Sequence, residues 1–159
     1  MRQMRLTVYM SEKVKIRKMT IQDFAQVYEL GKLSFMGPDK ANSYVYNYWS
    51  MSALAKFLED YDDLTYVAER GDEIVGFVLG HPTYEHIEVG YLEWIAVSPN
   101  AQRLGLASKL IQKMLKAFEA RGLDKIVTDV KGINIASTKL FEKHGFQVKE
   151  SVSFLEKTI

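Results

Sequence analysis

The segment from Tyr91 to Ser108 holds the residues whose types and spacing are most informative about chemistry. An apolar run ends in Ile95-Ala96-Val97, and after a short polar turn a second apolar pattern opens around Gly105. This order predicts a buried strand, a turn and a helix. The first N–H groups of a helix lack internal partners and the helix dipole adds positive potential there, so such a junction can hold a phosphate.

Small residues at the junction leave room for an anion to reach the backbone. Gln102-x-x-Gly105-x-Ala107 has glycine and alanine where larger side chains would block that approach. A dinucleotide-binding loop needs Gly-x-Gly-x-x-Gly and a P-loop needs a closing Gly-Lys-Ser/Thr, and the segment has neither pattern. Taken alone, the motif also fits an ordinary strand-loop-helix unit in which small residues only permit tight packing.

Composition limits the classes of function. The chain has 159 residues, a net charge of +1 and no cysteine. This length fits one domain, the charge gives no general attraction to nucleic acid or acidic membranes, and disulfides and thiol nucleophiles are excluded. No apolar run approaches the roughly 20 residues that span a bilayer. We expect an N-terminal extension over 1–13, a single domain over 14–159 and a cytoplasmic enzyme without nucleic-acid or membrane partners.

Periodicity predicts that strands and helices alternate along the chain. Thr20 and Asp23 have the spacing of a capping box, and Gly31 is placed to end the first helix. Strands are expected over 14–17, 64–69, 74–79, 90–97 and 125–130 with at least one more within 146–157, and helices over 20–31, 52–59, 104–121 and 134–144. The buried stripe of the third helix is expected to contain Leu104, Ala107, Leu110, Ile111, Met114, Leu115 and Phe118.

Several motifs together resemble those of the GNAT superfamily of N-acetyltransferases. The loop at 102–107 resembles the family's (Gln/Arg)-x-x-Gly-x-(Gly/Ala) motif, and 67–77 resembles its second and third strands. Asn134-x-x-Ser137…Phe141-x-x-x-Gly145-Phe146 resembles its Asn-x-x-Ala…Tyr-x-x-x-Gly-Phe helix. The resemblance covers about 14–157, and the motif layout is most similar to the ribosomal-protein alanine acetyltransferase branch. It implies an α/β fold of the mixed α+β kind, with a central, mostly antiparallel sheet, a splay between the fourth and fifth strands, and flanking helices.

The resemblance also implies acetyl-coenzyme A as the co-substrate. In the family, the loop before the third helix grips the pyrophosphate, and the splayed fourth strand offers backbone groups to the pantetheine arm and the thioester carbonyl. The Val97 N–H is the expected polariser. The residues matched to cofactor binding are Ile95, Ala96, Val97, Gln102, Arg103, Leu104, Gly105, Leu106, Ala107, Ser108, Asn134 and Phe141. The three histidines His81, His86 and His144 lack ligand spacing, so no metal is expected.

Two carboxylates are candidates for the base that deprotonates the acceptor amine. A lysine amine has a pKa of about 10.4 and is therefore almost fully protonated at neutral pH, so a base is most needed for acceptors of that kind. Strict alternation along the strand places Glu93 on the same face as Ile95 and Val97. Asp129 matches an acidic position ahead of the helix asparagine in the alanine acetyltransferase branch. Either acid can instead form an ion pair with a neighbouring cation such as Lys131.

Phe141 departs from the family pattern, in which the matching tyrosine is thought to protonate the departing thiolate. Phenylalanine has no such proton, so water, Tyr84 or Tyr91 would have to act instead. We therefore carry two hypotheses. The first is an N-acetyltransferase that acts directly on an unidentified primary amine of a protein or small molecule. The second is a non-catalytic acyl-coenzyme A-binding sensor or interaction module.

The segments expected to define the acceptor, 32–59 and the tail after Phe146, are the least patterned parts of the chain. The aromatic cluster of Tyr44, Tyr46, Tyr48 and Trp49 lies where GNAT proteins build one wall of the acceptor site, although core packing also explains it. A homodimer is compatible with the resemblance.

Overall fold

The computed structural model describes residues 13–36, 49–131, 134–153, 155 and 157–158. The chain divides into two compact units, Met1–Thr128 and Asp129–Ile159. The first unit contains a five-stranded sheet in the order β1-β2-β3-β4-β5. Its strands are β1 (Lys15–Lys18), β2 (Thr65–Arg70), β3 (Glu73–Pro82), β4 (Val89–Val97) and β5 (Lys125–Val127), and its helices are α1 (Phe24–Phe35), α2 (Met51–Asp60) and α3 (Leu106–Ala120). The second unit contains α4 (Ile135–Lys143).

The sheet is mixed and mostly antiparallel, as the resemblance implies. β1 to β4 pair with their neighbours in antiparallel fashion, whereas β4 and β5 run parallel. The last pair between β4 and β5 is Tyr91 with Val127, although β4 continues to Val97. The two strands therefore share only the first part of β4, which confirms the predicted splay.

Helices cover both faces of the sheet. On one face, Val27 of α1 and Leu54 of α2 belong to the same buried cluster as Phe77 and Ala96. On the other face, a Cβ added at Gly76 would lie 3.2 Å from the side chain of Leu110 in α3. Apolar residues fill both sides of β3, which explains why its sequence is nearly continuously hydrophobic rather than alternating.

Two predictions from the sequence were wrong, the one that Gly31 ends the first helix and the one that Leu104 is buried. Gly31 does not end α1, which continues to Phe35; a Cβ at Gly31 would overlap the indole ring of Trp49. The glycine therefore makes space for a tertiary contact. Leu104 is not part of the buried stripe of α3, because the helix begins two residues later and Leu104 is 54% exposed while Leu106 is 3% exposed.

The predicted capping box is present in the 3₁₀ turn Ile21–Asp23 that leads into α1, and it belongs to a larger ion cluster. The Asp23 carboxylate accepts a hydrogen bond from the Thr20 N–H at 2.8 Å and from Arg17 Nη1 at 2.7 Å. Arg17 also binds Glu69 of β2 at 2.7 Å. The hydrogen bond to Arg17 holds the pKa of Asp23 below its usual range.

The end of the chain differs from the prediction. β5 stops at Val127, and the described residues between 146 and 158 contain no strand.

Of the aromatic cluster, Tyr44, Tyr46 and Tyr48 lie outside the described residues, as do 1–12. Trp49 is 3% exposed and its Nε1 donates to the Tyr28 carbonyl at 3.0 Å, so core packing is confirmed for this residue. In the described ranges, no helix has the length and apolar character needed to cross a membrane.

Candidate active site

A β-bulge in β4 determines where the Glu93 carboxylate lies. Leu79 of β3 pairs with Trp94, but the next residue, Gly80, pairs with Leu92. Glu93 is therefore an extra residue in β4 without a partner position on β3. A bulge of this kind bends the strand and interrupts the alternation of its side chains.

The interruption corrects the predicted face of Glu93. Val97 pairs with Gly76, which faces Leu110 of α3, and Ile95 lies two residues away on that same face. Glu93 instead lines a cavity together with Trp94 and with Phe57 of α2. The carboxylate thus lies on the opposite face of the sheet from Ile95 and Val97.

Backbone pairing directs particular groups of β4 towards the splay. The Ser98 N–H donates to the Val75 carbonyl at 2.8 Å. Hydrogen-bonded pairs alternate in an antiparallel ladder, so Ala96 forms the next bonded pair with Phe77. The backbone N–H and C=O groups of Ile95 and Val97 consequently point away from β3, to the edge beyond which β5 has ended. Their predicted contact with a thioester stays a prediction, and the ladder favours these two residues over Ala96.

The loop before α3 has the backbone that an anion-binding junction requires. Arg103 and Gly105 adopt left-handed conformations with φ of 65° and 69°. The first backbone hydrogen bond of α3 runs from the Lys109 N–H to the Gly105 carbonyl at 3.1 Å, so the N–H groups of the first turn precede the helical ladder. A Cβ at Gly105 would meet no atom within 4 Å. A left-handed non-glycine residue costs about 1–2 kcal/mol, and such strain concentrates at functional sites.

The remaining loop residues divide by exposure. Gln102 and Arg103 are exposed and present their side chains to solvent, whereas Ala107 and Ser108 are half-buried. The side chain of Leu106 is buried in the core, so only its backbone is available to a ligand. The role of the loop in binding a pyrophosphate stays a prediction.

A cavity of about 720 Å³ opens on the α2 face of the sheet. Its walls combine aromatic rings with a few charged groups. They are formed by Ala53, Lys56, Phe57, Tyr61, His81, Thr83, Tyr84, Glu85, His86, Val89, Tyr91, Glu93, Trp94, Lys125 and Val127. Cavities of this size and composition accommodate small molecules.

His81 lies beside Glu93 in this cavity, and sequence reasoning gave it no role. The imidazole is 7% exposed, and its Nε2 lies 3.3 Å from Glu93 Oε2. Its Nδ1 lies 2.7 Å from the Pro82 carbonyl oxygen. Four aromatic rings surround the His81 ring, at centroid distances of 5.8 Å for Phe57, 5.7 Å for Tyr61, 5.3 Å for Tyr84 and 5.6 Å for Tyr91. No signal in the sequence marks this pair, because His81 and its partner Glu93 lie on different strands and their contact depends on strand pairing.

The second unit contains the other residues matched to the family motif. Asn134 caps α4, since its side-chain oxygen accepts a hydrogen bond from the Ser137 N–H at 3.1 Å, which confirms the capping interpretation. Phe141 is 5% exposed and contacts the ring of Phe146 edge to face at 5.1 Å. Asp129 is exposed. The predicted roles of these three residues towards cofactor and acceptor stay predictions.

The fold and the splayed strand define the class of protein. The profile of the acetyltransferase (GNAT) family matches residues 24–146, and the chain belongs to this family. It is 29% identical over 126 residues to the L-2,4-diaminobutyric acid acetyltransferase of Nocardia farcinica. The matched region covers 79% of this chain and 61% of that protein. It is 35% identical over 98 residues to an acetyltransferase of Sodalis glossinidius, covering 61% of this chain and 66% of that one. The chain thus spans less than two thirds of the length of these curated relatives.

Solved structures share the fold. The diaminobutyrate acetyltransferase of Paenibacillus lautus, solved with L-2,4-diaminobutyric acid and coenzyme A, has a TM-score of 0.65 and 26% identity over 84% of this chain and 75% of its own. The ribosomal-protein-S18-alanine N-acetyltransferase of Escherichia coli has a TM-score of 0.67 and 20% identity over 87% of this chain and 80% of its own. The second likeness shows the fold alone.

Proposed function

We propose that this chain is an N-acetyltransferase that transfers the acetyl group of acetyl-coenzyme A directly to a primary amine. One observation carries the proposal. β4 directs the backbone groups of Ile95 and Val97 into a splay, and a bulge in the same strand turns Glu93 into a cavity on the opposite face. The proposed base, Glu93, and the proposed oxyanion donor, Val97, belong to one segment of β4.

The residues of the first unit fit coenzyme A. The left-handed Gly105, the open space around it and the first turn of α3 provide N–H donors and positive potential for a diphosphate. The cofactor supplies the acetyl group as a thioester. The Val97 N–H is proposed to donate to the thioester oxygen, where loss of one such donor costs acyl-transfer enzymes about 3–4 kcal/mol.

The carboxylate of Glu93 is proposed as the general base. An ammonium group in the cavity gives one proton to Glu93, and the freed amine nitrogen then attacks the acyl carbon. The carbon–sulfur bond breaks as the carbon–nitrogen bond is completed, and the second nitrogen proton passes to the thiolate through water. Glu93 returns its proton to solvent before the next turnover. Asp129 is the competing candidate for the base.

A small primary amine is the acceptor that the cavity favours. Its volume suits a molecule of a few hundred daltons rather than a folded surface, and the aromatic walls suit the apolar part of an alkylamine. Relatives from several organisms are named for acetylation of diaminobutyric acid. We propose a diamino acid or an alkyl diamine as the first acceptors to test, with a peptide α-amine as the comparison.

A specific feature favours the second hypothesis, a non-catalytic acyl-coenzyme A-binding module. Phe141 lacks the hydroxyl of the family's tyrosine and is buried against Phe146. The thiol of coenzyme A, with a pKa of about 8.5 if cysteine is taken as a model, still leaves readily as the thiolate. The missing hydroxyl is therefore compatible with turnover.

Release of free coenzyme A separates the two hypotheses. The purified chain is mixed with acetyl-coenzyme A and each amine. The released thiol is measured with a chromogenic thiol reagent, and the mass of the amine product is measured by mass spectrometry. The chain has no cysteine, so the protein gives no background in this assay. An amine-dependent thiol signal with a matching acetyl mass shift supports the enzyme. Tight cofactor binding without any acetylated amine in the panel supports the binding module.

Comparison of two variants identifies the base. Glu93→Gln should lower kcat/KM by about 10²-fold or more and remove its acidic limb, because the amide accepts no proton. Asp129→Asn is the matched change at the competing carboxylate and should leave the limb in place. A reversed result would assign the base to Asp129. The extents of the domain and of the N-terminal extension, the cytoplasmic location and a homodimer stay predictions.

A further inference from the structure

The buried His81 ring and the half-buried Glu93 carboxylate form a pair, and Nε2 of the ring and Oε2 of the carboxylate are placed to share one proton. Nδ1 of His81 lies 2.7 Å from the Pro82 carbonyl oxygen, which can only accept a hydrogen bond. Nδ1 must therefore carry a hydrogen and donate it. In a neutral imidazole, this arrangement leaves Nε2 with a lone pair, and that lone pair faces Glu93 Oε2 at 3.3 Å.

A contact between a lone pair and a carboxylate oxygen is attractive only when a proton lies between them. We propose that His81 is a positioning residue for Glu93, because its Nε2 accepts the hydrogen bond of the carboxylic acid that forms when Glu93 takes the proton of the acceptor amine. The proton moves from the ammonium to the Glu93 carboxylate and is then held between Oε2 and Nε2. No other bond changes in this step, and the inference rests on Glu93 being the base of the proposed function.

The surroundings of His81 restrict its movement and its exchange with water. The imidazole is 7% exposed and stacks on Tyr91 with an angle of 16° between the ring planes. Phe57 and Tyr61 pack on it from α2 and the following turn. The ring thus has a fixed tautomer and a fixed orientation, which is how a second residue makes a carboxylate a more effective proton acceptor.

Other charged or titratable groups face the same cavity and belong in any account of its pH dependence. They are Lys56 on α2, Tyr61 after it, Tyr84, Glu85 and His86 in the loop between β3 and β4, Tyr91 on β4 and Lys125 on β5. Nε2 of His81 faces the Glu93 carboxylate, with Oε2 at 3.3 Å.

Two substitutions separate the nitrogens of His81. In His81→Asn the amide NH₂ can still donate to the Pro82 carbonyl, but nothing reaches Glu93. In His81→Leu the side chain has no polar atom, so neither the bond to Pro82 nor the contact with Glu93 is kept. Both variants lose the acceptor for the carboxylic acid, and only His81→Leu loses the bond to Pro82. His144→Asn in the second unit is the matched control.

The test measures kcat/KM against pH for each variant in the wild-type and Glu93→Gln backgrounds. We expect both His81 variants to lower the plateau by about tenfold and to move the acidic limb to lower pH. In the Glu93→Gln background the same substitutions should change the rate less than about twofold, because the partner is gone. His144→Asn should change neither quantity.

Each other outcome overturns the inference. An equal loss from His81→Asn in both backgrounds would mean that His81 acts on the fold and not through Glu93. An acidic limb that does not move would mean that the pair shares no proton during turnover. If Glu93→Gln alone leaves the rate and the limb unchanged, then the base assignment itself fails, and that failure is visible before any His81 variant is compared. Thermal unfolding of each variant checks that losses of rate are not losses of folded protein.

Discussion

The substitution Gly105→Glu tests the cofactor loop most directly. Gly105 is the residue before α3, has a φ of 69° and has no atom within 4 Å of the position of a Cβ. A glutamate side chain therefore fits without a clash, and its carboxylate enters the space ahead of the helix N-terminus. The change adds a negative charge where the loop is proposed to hold a diphosphate, while the core of the protein remains unchanged.

Two contributions to the effect can be separated. The left-handed backbone costs a non-glycine residue about 1–2 kcal/mol of folding stability. A carboxylate about 4 Å from one phosphate charge costs about 1 kcal/mol in a fully aqueous setting and about 4 kcal/mol near a protein surface. With each 1.4 kcal/mol worth about tenfold in affinity, coenzyme A binding should weaken by about fivefold to 700-fold for one phosphate charge.

Gly122 provides a matched control for the backbone cost. It has a φ of 80° and open space around a Cβ, but it follows the C-terminal end of α3. Gly122→Glu should lower the stability by a similar amount and leave the affinity for coenzyme A unchanged in titration calorimetry. An unchanged dissociation constant for Gly105→Glu, or an equal loss in both variants, would refute the assignment of the loop.

Three further outcomes are expected. Phe141→Tyr should raise kcat if thiolate departure limits turnover and the new hydroxyl reaches the sulfur; a folded variant with an unchanged rate in the thiol-release assay would show that another group protonates the thiol or that this step is not limiting. Gly31→Ala should destabilise the chain by about 1–3 kcal/mol in urea unfolding, because a Cβ displaces Trp49, whereas helix propensity alone predicts stabilisation by about 1 kcal/mol. Arg17 lowers the pKa of Asp23, so this pair contributes stability above the usual carboxyl pKa that is lost as the pH falls below about 4; Asp23→Asn should flatten the decline of the melting temperature between about pH 5 and 3.

The sequence by itself determined the features that depend on neighbouring residues. The capping box of Thr20 and Asp23 follows from the spacing of the two residues, and the order of strands and helices follows from periodicity. The loop ahead of α3 was recognisable because the small residues Gly105 and Ala107 follow a predicted strand, where larger side chains would block an anion. The family resemblance added the splay, which the short pairing of β4 with β5 confirms.

The tertiary structure decided the features that depend on how strands pair. The bulge at Glu93 arises from the register of β4 against β3, which no local pattern in β4 reveals, and it moved the carboxylate to the face opposite to the predicted one. The same pairing brings His81 to Glu93 across 12 residues of sequence. Gly31 likewise has its role because Trp49, 18 residues later, packs on α1. Side chains meet in these cases because two distant segments share a surface, and the geometry of that surface exists only in the folded chain.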